Sequence, residues 1–163
     1  KYDTELVIWK VGRAFGATKL KEVNGIYGGE LAGHYYFRDF YYSDSGLLAS
    51  VLVLNIVSKM KIEGVKFSQA IDEISTYANT GEVNFIINNK QEAMDTVLKY
   101  FKDNNADYKF FDFDGYRLEF KNWWFNIRPS NTEPYLRFLA EAESEELLES
   151  KTNIIYDILS KYE

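Results

Sequence analysis

The sequence predicts two structural units, an α/β unit followed by an antiparallel sheet with two helices. Apolar residues recur at helical spacing between residues 46 and 61, as expected for a long helix in a mixed unit. Four short β-rich segments separated by turn residues fill most of residues 108–140, as expected for an antiparallel sheet. The composition shifts at the Ala-Asn-Thr-Gly segment, residues 78–81, so we place the units at residues 1–78 and 79–163.

The first unit is predicted to contain both strands and helices. Hydrophobic periodicity and turn residues predict, in order, a strand at 5–10, a helix at 15–22, a second strand at 24–27, a long helix at 46–61 and a shorter helix at 68–77. The second strand leads into a glycine turn at Gly28-Gly29, and Ser45 is placed to cap the long helix. That helix carries an apolar stripe that we assign to the core: Leu47, Leu48, Val51, Leu54 and Val57.

The second unit is predicted to place two helices against one antiparallel sheet. The predicted elements are a strand at 82–87, a helix at 90–102, strands at 108–111, 117–120, 123–127 and 135–140, and a final helix at 145–162. Turns are predicted at Asp114-Gly115 and Lys121-Asn122. Ser144 is placed to cap the last helix, whose first turn carries acidic residues that the helix dipole favours.

The composition argues against several classes of function. The chain has 163 residues and a net charge of −6, which argues against broad binding to nucleic acid or to an anionic membrane. It contains no cysteine, so disulfides, thiolate zinc sites and thiol nucleophiles are excluded. The longest apolar-rich stretch, residues 47–57, is too short to span a bilayer, and we expect a cytoplasmic protein.

A polar loop at residues 128–134 groups the donors that a phosphate needs. Arg128 offers a planar fork to two phosphate oxygens, and the hydroxyls of Ser130 and Thr132 and the amide of Asn131 add further donors. The same residues suit an ordinary polar hairpin whose side chains satisfy only the local backbone. The residues alone leave both interpretations open.

A glycine-bounded turn at residues 28–34 presents one carboxylate and the only histidine of the chain. Glu30 is a good acceptor for neighbouring sugar hydroxyls, and His34 could donate or accept a proton near neutral pH. The glycines allow the backbone to approach a ligand closely. A tight turn with an exposed glutamate and a hydrogen-bonded structural histidine explains the same residues, and this alternative stays open.

Two other polar features are assigned structural roles. The segment Asp112-Phe113-Asp114-Gly115 has the alternate aspartates of a divalent-cation loop, but Asp-Gly is also a common hairpin turn. No further acidic residues follow at the spacing of a calcium loop, so we predict no metal site. Arg137 is interpreted as one half of a structural ion pair.

The motifs Gly29-Glu30-Leu31-Ala32-Gly33-His34 and Arg128-Pro129-Ser130-Asn131-Thr132-Glu133-Pro134 resemble those of the α-D-phosphohexomutases, the phosphoglucomutase and phosphomannomutase superfamily. Lys10-Val11-Gly12, Asp44-Ser45-Gly46 and Asp114-Gly115-Tyr116-Arg117 extend the resemblance over nearly the whole chain. The resemblance implies the last part of the family's third domain, a partial α/β domain. It also implies the whole of the fourth domain, a TATA-box-binding-protein-like antiparallel sheet with two helices.

The resemblance also implies roles for individual residues. Glu30 would orient ring hydroxyls, and Ala32 and Gly33 complete the sugar loop, with Ala32 standing where the family usually has a serine. His34 is the candidate for proton transfer. The implied phosphate-binding residues are Arg128, Ser130, Asn131 and Thr132.

By this resemblance the whole enzyme interconverts hexose 1-phosphate and hexose 6-phosphate through hexose 1,6-bisphosphate, using Mg²⁺ and a phosphoserine. The family's phosphoserine motif and its Asp-Gly-Asp-Gly-Asp-Arg metal motif are not found in this sequence. We therefore expect a C-terminal fragment that binds phosphosugar weakly, does not catalyse alone, and works with domains 1–3 of the same enzyme. A non-catalytic phosphosugar sensor and a structural interaction domain are the alternatives.

Overall fold

The computed structural model describes residues 4–104, 107–130 and 133–163. Backbone contacts divide the chain into two compact units, with the boundary between Ser75 and Thr76. Each unit has its own elements, and each is described separately below.

The first unit combines three helices with a small antiparallel sheet. Its elements are α1 (Arg13–Glu22), β1 (Tyr27–Gly29), β2 (Tyr35–Phe37), a 3₁₀ helix (Arg38–Phe40), β3 (Ser43–Asp44), α2 (Gly46–Ile62) and α3 (Phe67–Ile74). The strands lie in the order β1-β2-β3 and all pairs are antiparallel. The three predicted helices of this unit are confirmed, and Ser45 caps α2 by accepting the backbone N–H of Leu48 at 3.1 Å.

Two strand predictions in this unit are wrong. Residues 5–10 form no strand, because within the described residues no neighbouring strand pairs with their backbone, and an unpaired strand leaves its N–H and C=O groups unsatisfied. The strand predicted at 24–27 begins only at Tyr27 and continues through the glycines predicted as the turn. The actual turn lies one step later and is closed by the N–H of Glu30, which donates to the carbonyl of His34 at 2.9 Å.

The assignment of the α2 apolar stripe to the core is also wrong. No residue of α2 is buried, and Leu47 and Leu54 are 79% and 64% exposed. Apolar residues occupy every face of this helix, and the described elements of the first unit leave most of them exposed, with Leu48 and Val57 half-buried. The pattern correctly predicted the helix, but apolar spacing does not reveal which partner covers the surface.

The second unit is a six-stranded antiparallel sheet with two helices. Its elements are β4 (Ala78–Asn79), β5 (Val83–Ile86), α4 (Lys90–Asp103), β6 (Lys109–Phe111), β7 (Tyr116–Glu119), β8 (Trp123–Pro129), β9 (Tyr135–Ala142) and α5 (Glu145–Leu159). The strand order is β4-β9-β8-β7-β6, and β5 also pairs with β9. The predicted antiparallel sheet with two helices is therefore confirmed.

One face of this sheet carries the core. Alternate residues of β8 and β9 are fully buried, including Phe125 and Phe138, as expected for strands with one covered face. They pack against buried residues of α4 and α5 such as Val97 and Ile155. The intervening residues of the two strands, among them Arg128, face the other side and stay partly exposed. The packed face thus fixes the side of the sheet on which the predicted phosphate-binding arginine lies.

Candidate functional site

The turn between β1 and β2 presents the Glu30 carboxylate in a fixed position. One carboxylate oxygen, Oε2, accepts the backbone N–H of Gly12 at 3.1 Å. The other, Oε1, accepts the hydroxyl of Tyr36 in a short hydrogen bond. Gly12 can present its N–H in this way because it has φ +134°, a conformation that favours glycine. Both oxygens are therefore held while each keeps a second lone pair for a further donor.

The tip of the same turn contains the other two predicted sugar-loop residues. Ala32 and Gly33 are exposed, and the Gly33 N–H closes the turn by donating to the Glu30 carbonyl at 3.0 Å. Gly33 has φ +86°, which explains why a glycine stands at this point of the turn. The methyl group of Ala32 offers no hydroxyl to a ligand, so any side-chain contact at this position is apolar.

His34 is held by Asp44, the last residue of β3. Its Nδ1 lies 2.7 Å from Oδ2 of Asp44, whose other oxygen accepts the Tyr35 backbone N–H at 3.0 Å. The Tyr35 backbone N–H, followed by the His34 side chain, lowers the pKa of the Asp44 carboxyl below its usual range. An ionised Asp44 favours a proton on Nδ1 of the imidazole. Nε2 is then the nitrogen that can exchange a proton with a ligand.

In the second unit, Arg128 lies near the end of β8 beside a second arginine. Arg128 and Arg137 face each other across β8 and β9. The Glu82 carboxylate lies within ion-pair distance of both guanidinium groups, 3.7 Å from Arg128 Nη2 and 3.0 Å from Arg137 Nη1. Arg137 also pairs with Glu133 at 2.6 Å, so its predicted ion-pair role is confirmed. An acidic side chain thus already neutralises part of the positive charge that a phosphate would meet.

The hairpin loop after Arg128 is described only in part. The N–H of Ser130 donates to the carbonyl of Tyr135 at 2.9 Å, and its Oγ accepts the N–H of Glu133 at 3.2 Å. These bonds are the local backbone interactions expected of a polar hairpin. The predicted phosphate contacts of Asn131 and Thr132 lie outside the described residues.

The Asp114-Gly115 turn supports the position of Arg128. Gly115 has φ +72°, and a Cβ at this position would lie 2.3 Å from the Ile127 carbonyl oxygen and 2.5 Å from Arg128 Cβ. The Asp114 carbonyl accepts the Asn126 side-chain amide at 3.0 Å. This segment is a structural turn packed against β8. The role of its aspartates stays a prediction.

Sequence reasoning did not predict three partners of the site residues: Tyr36, Asp44 and Glu82. Tyr36 lies two positions after His34 and therefore on the same face of the extended chain, a signal that was available. Asp44 and Glu82 had no comparable signal, because the turns and strand pairings that bring them to their partners are tertiary features.

Comparison with known proteins identifies the family. The family model described as "Phosphoglucomutase/phosphomannomutase, alpha/beta/alpha domain III" matches residues 1–77. The model described as "Phosphoglucomutase/phosphomannomutase, C-terminal domain" matches residues 82–157. The chain belongs to the phosphoglucomutase/phosphomannomutase family. This confirms the resemblance that the two motifs carried.

Similar members of the phosphoglucomutase/phosphomannomutase family come from archaea and bacteria. The chain is 35% identical over 162 residues to a phosphomannomutase of Methanocaldococcus jannaschii, covering 99% of this chain and 34% of that protein. It is 34% identical over 155 residues to a protein of Xanthomonas campestris pv. campestris named "Phosphohexose mutases", covering 94% of this chain and 34% of that protein. The chain therefore spans about a third of the length of these curated relatives.

A solved structure of a phosphoglucomutase/phosphomannomutase family protein from Burkholderia thailandensis matches the fold. Its TM-score is 0.75 at 25% identity, and the match covers 94% of this chain and 32% of that one. Among the described residues, no helix is both long enough and apolar enough to cross a membrane.

Proposed function

We propose that this chain forms the sugar- and phosphate-binding part of a phosphohexomutase. The whole enzyme interconverts hexose 1-phosphate and hexose 6-phosphate through hexose 1,6-bisphosphate. The observation that carries the proposal is the Glu30 carboxylate, which two donors hold at a turn while both of its oxygens can accept further hydroxyls. Family membership and Arg128, near the end of β8, support the proposal that the chain binds phosphate.

In this proposal Arg128 and Ser130, with Asn131 and Thr132, bind the phosphate that is not being transferred. A planar guanidinium matches two phosphate oxygens and does not depend on which carbon carries the phosphate. The same residues can therefore accept either end of the bisphosphate after it turns around between half-reactions. Glu82 lies within ion-pair distance of the Arg128 guanidinium, at 3.7 Å, and helps to orient it.

Glu30 would bind ring hydroxyls, with the Gly33 turn beside it. His34 would exchange a proton with the hydroxyl that gains or loses the phosphoryl group, through Nε2. Asp44 keeps the proton of the imidazole on Nδ1, which leaves Nε2 as the acceptor. A correctly oriented base of this kind contributes about 10²–10⁴-fold to a rate.

Mg²⁺ would neutralise charge on the transferred phosphoryl group in the whole enzyme. The described residues do not fit such an ion, because they contain no cluster of three or more acidic or histidine side chains. The phosphoserine motif and the metal motif that the resemblance implies would come from other domains of the same enzyme.

We also propose that those other domains are the partner of the first unit. The exposed apolar residues of α2 are the supporting observation, since a helix that is apolar on all sides is normally buried. The first unit is described by its family as an α/β/α domain, which requires sheet between layers of helix.

The test is Arg128→Ala in the full-length protein, with Arg117→Ala as the matched control. Arg117 lies in the same sheet but pairs with Glu119 at 2.7 Å and stacks on Trp124. Losing a charge-assisted phosphate contact costs about 1.5–3 kcal/mol, so KM for a hexose phosphate should rise by about 10- to 150-fold. Arg117→Ala should change it less than about threefold. An unchanged KM in Arg128→Ala, with the fold intact, would contradict the assigned role.

The same assay separates the proposed mutase from a phosphosugar sensor. Full-length wild-type protein should interconvert hexose 1-phosphate and hexose 6-phosphate. Binding of these sugars with no turnover, in the presence of Mg²⁺ and hexose 1,6-bisphosphate, would instead favour the sensor.

A further inference from the structure

Tyr36 occupies a slot made by two glycines. It lies in the middle of β2, is 1% exposed, and faces Gly28 of β1 across the strand pair. A Cβ at Gly28 would lie 3.4 Å from Tyr36 Cδ2, and a Cβ at Gly16 of α1 would lie 2.8 Å from Tyr36 Cε2. The absence of a side chain at Gly16 lets the aromatic ring lie between α1 and the sheet, and a Cβ at Gly28 would make only ordinary van der Waals contact with it.

The slot aims the Tyr36 hydroxyl at Glu30. The hydroxyl donates to Oε1, the carboxylate oxygen that the Gly12 backbone does not hold. Burial, followed by the hydrogen bond to Glu30, raises the pKa of Tyr36 well above its usual range. The hydroxyl therefore stays protonated, and remains a donor, at any physiological pH.

Two donors attached to different elements thus hold one carboxylate. Gly12 precedes α1 and Tyr36 belongs to β2, so a rotation of the Glu30 side chain would break at least one of the two bonds. A free glutamate loses side-chain entropy when a ligand orders it. Here the protein has already ordered it, and the free lone pairs of its two oxygens point in fixed directions.

A fixed pair of acceptors can distinguish sugars that differ at a single ring hydroxyl. Two neighbouring hydroxyls fit both oxygens only in one relative configuration, and the epimer leaves a polar group without its partner. A mobile carboxylate would adjust to either configuration and would discriminate less.

We propose that Tyr36 is a positioning residue that fixes the Glu30 carboxylate for a neighbouring pair of sugar hydroxyls and thereby sets the selectivity of the protein among hexose phosphates. The inference rests on the proposed function. Tyr36 contacts Glu30, and its proposed role involves no contact with the sugar or the reacting atoms.

The first experiment compares Tyr36→Phe with wild type in the full-length protein. We expect kcat/KM for the preferred substrate to fall about tenfold, since the hydrogen bond to a charged group is lost. The ratio of the highest to the lowest kcat/KM among glucose, mannose and galactose 1-phosphates should fall by about the same factor. Tyr42→Phe is the control, because its hydroxyl donates to Asn24 at 2.9 Å, away from Glu30. It should leave both quantities within about twofold of wild type.

A double-mutant cycle separates positioning from a general structural effect. In a Glu30→Ala background, Tyr36→Phe should change kcat/KM by less than about twofold, because there is no carboxylate left to position. An undiminished tenfold loss in that background would overturn the proposal. So would Tyr36→Phe with unchanged selectivity, or a wild type that turns over all three sugars equally.

Gly16→Ala provides a second variant that keeps the hydroxyl. Its Cβ would lie 2.8 Å from the Tyr36 ring and 3.2 Å from Glu30 Oε1. The substitution should therefore displace the Tyr36 ring and the Glu30 carboxylate and reduce the selectivity among the three sugars. If Tyr36→Phe fails to fold, Gly16→Ala becomes the test of the proposal. Unchanged selectivity in Gly16→Ala would then overturn it. Failure of wild type to convert any hexose phosphate would instead count against the proposed function.

Discussion

At the residue scale, Asp44 links the start of α2 to the only histidine of the chain. Its two oxygens accept from different residues, the His34 ring and the Tyr35 backbone, so the carboxylate fixes the imidazole to β2. Asp44 is also the residue before the Ser45 cap of α2. A single short segment therefore caps the helix and orients the imidazole.

Asp44→Asn should impair proton transfer with little change in substrate binding. An asparagine can turn either its amide or its carbonyl toward Nδ1, so the tautomer with a free Nε2 lone pair is no longer enforced. We expect kcat of the full-length protein to fall by about 10²-fold or more, with KM within about threefold. Asp39→Asn, which loses only an exposed pair with Arg38, is the control. A kcat equal to that of wild type would contradict the orienting role.

The same carboxylate gives a pH dependence of stability. Its pKa in the folded chain is depressed below the ordinary value of 3.8, chiefly by the Tyr35 N–H. The stabilisation is therefore fully present above pH 3.8 and is lost as the pH falls through the lower, folded-state pKa. Thermal unfolding of the first unit should show wild type more stable than Asp44→Asn at pH 6, with the gap closing below pH 3.8. A gap that widens as the pH falls below 3.8 would contradict this sign.

At the element scale, the turn between β6 and β7 acts as a support for the end of β8. The Gly115 backbone lies so close to Ile127 and Arg128 that no side chain fits between them. The position of the predicted phosphate-binding arginine thus depends on a neighbouring turn as well as on its own strand pairing.

Gly115→Ala should therefore destabilise the second unit much more than Gly81→Ala. Both glycines have positive φ, and alanine in that conformation costs about 1–2 kcal/mol. No atom lies within 4 Å of a Cβ built at Gly81, whereas at Gly115 the contacts are 2.3–2.7 Å. Denaturant unfolding should show about 1 kcal/mol lost for Gly81→Ala and more than about 3 kcal/mol for Gly115→Ala. Equal losses would show that the turn does not press on β8.

The elements of the second unit could be predicted from the sequence because their signals are local. Alternating apolar residues in β8 and β9 and the Ser144 cap of α5 read directly as strands and a helix start. Residues 5–10 are rich in residues that favour strands but form no strand, since strand formation needs a paired neighbour that the pattern cannot reveal.

The candidate site shows the same division between local and tertiary information. Glu30, His34 and Arg128 could be chosen by chemistry and motif, and their assigned roles stay predictions. Their partners Asp44 and Glu82 emerged only from the turns and strand pairings of the folded backbone, whereas Tyr36 had a local signal in its spacing from His34.

At the scale of the whole molecule, the two units differ in how fully they bury their apolar residues. The second has a continuous core of aromatic and aliphatic side chains, whereas α2 of the first has no buried residue. This difference follows the family description of the first unit as part of a layered α/β/α domain.

Hydrogen exchange should reveal that difference directly. In the isolated chain, amides of β8 and β9 should be protected at least about a hundredfold more than those of α2, because an uncovered helix opens at low cost. In the full-length protein, protection of α2 should rise toward that of the sheet as other domains cover it. Equal protection in both proteins would contradict the proposed partner.

The most direct test of the central claim is a titration followed by backbone NMR, with inorganic phosphate and glucose 6-phosphate added separately to the chain. If the β8–β9 loop binds phosphate and the β1–β2 turn binds sugar, phosphate alone should shift Arg128 and Ser130. Glucose 6-phosphate should shift these residues and also Glu30 and His34. Unchanged signals in both segments, or equal shifts in wild type and Arg128→Ala, would contradict the claim that the β8–β9 loop binds phosphate and the β1–β2 turn binds sugar.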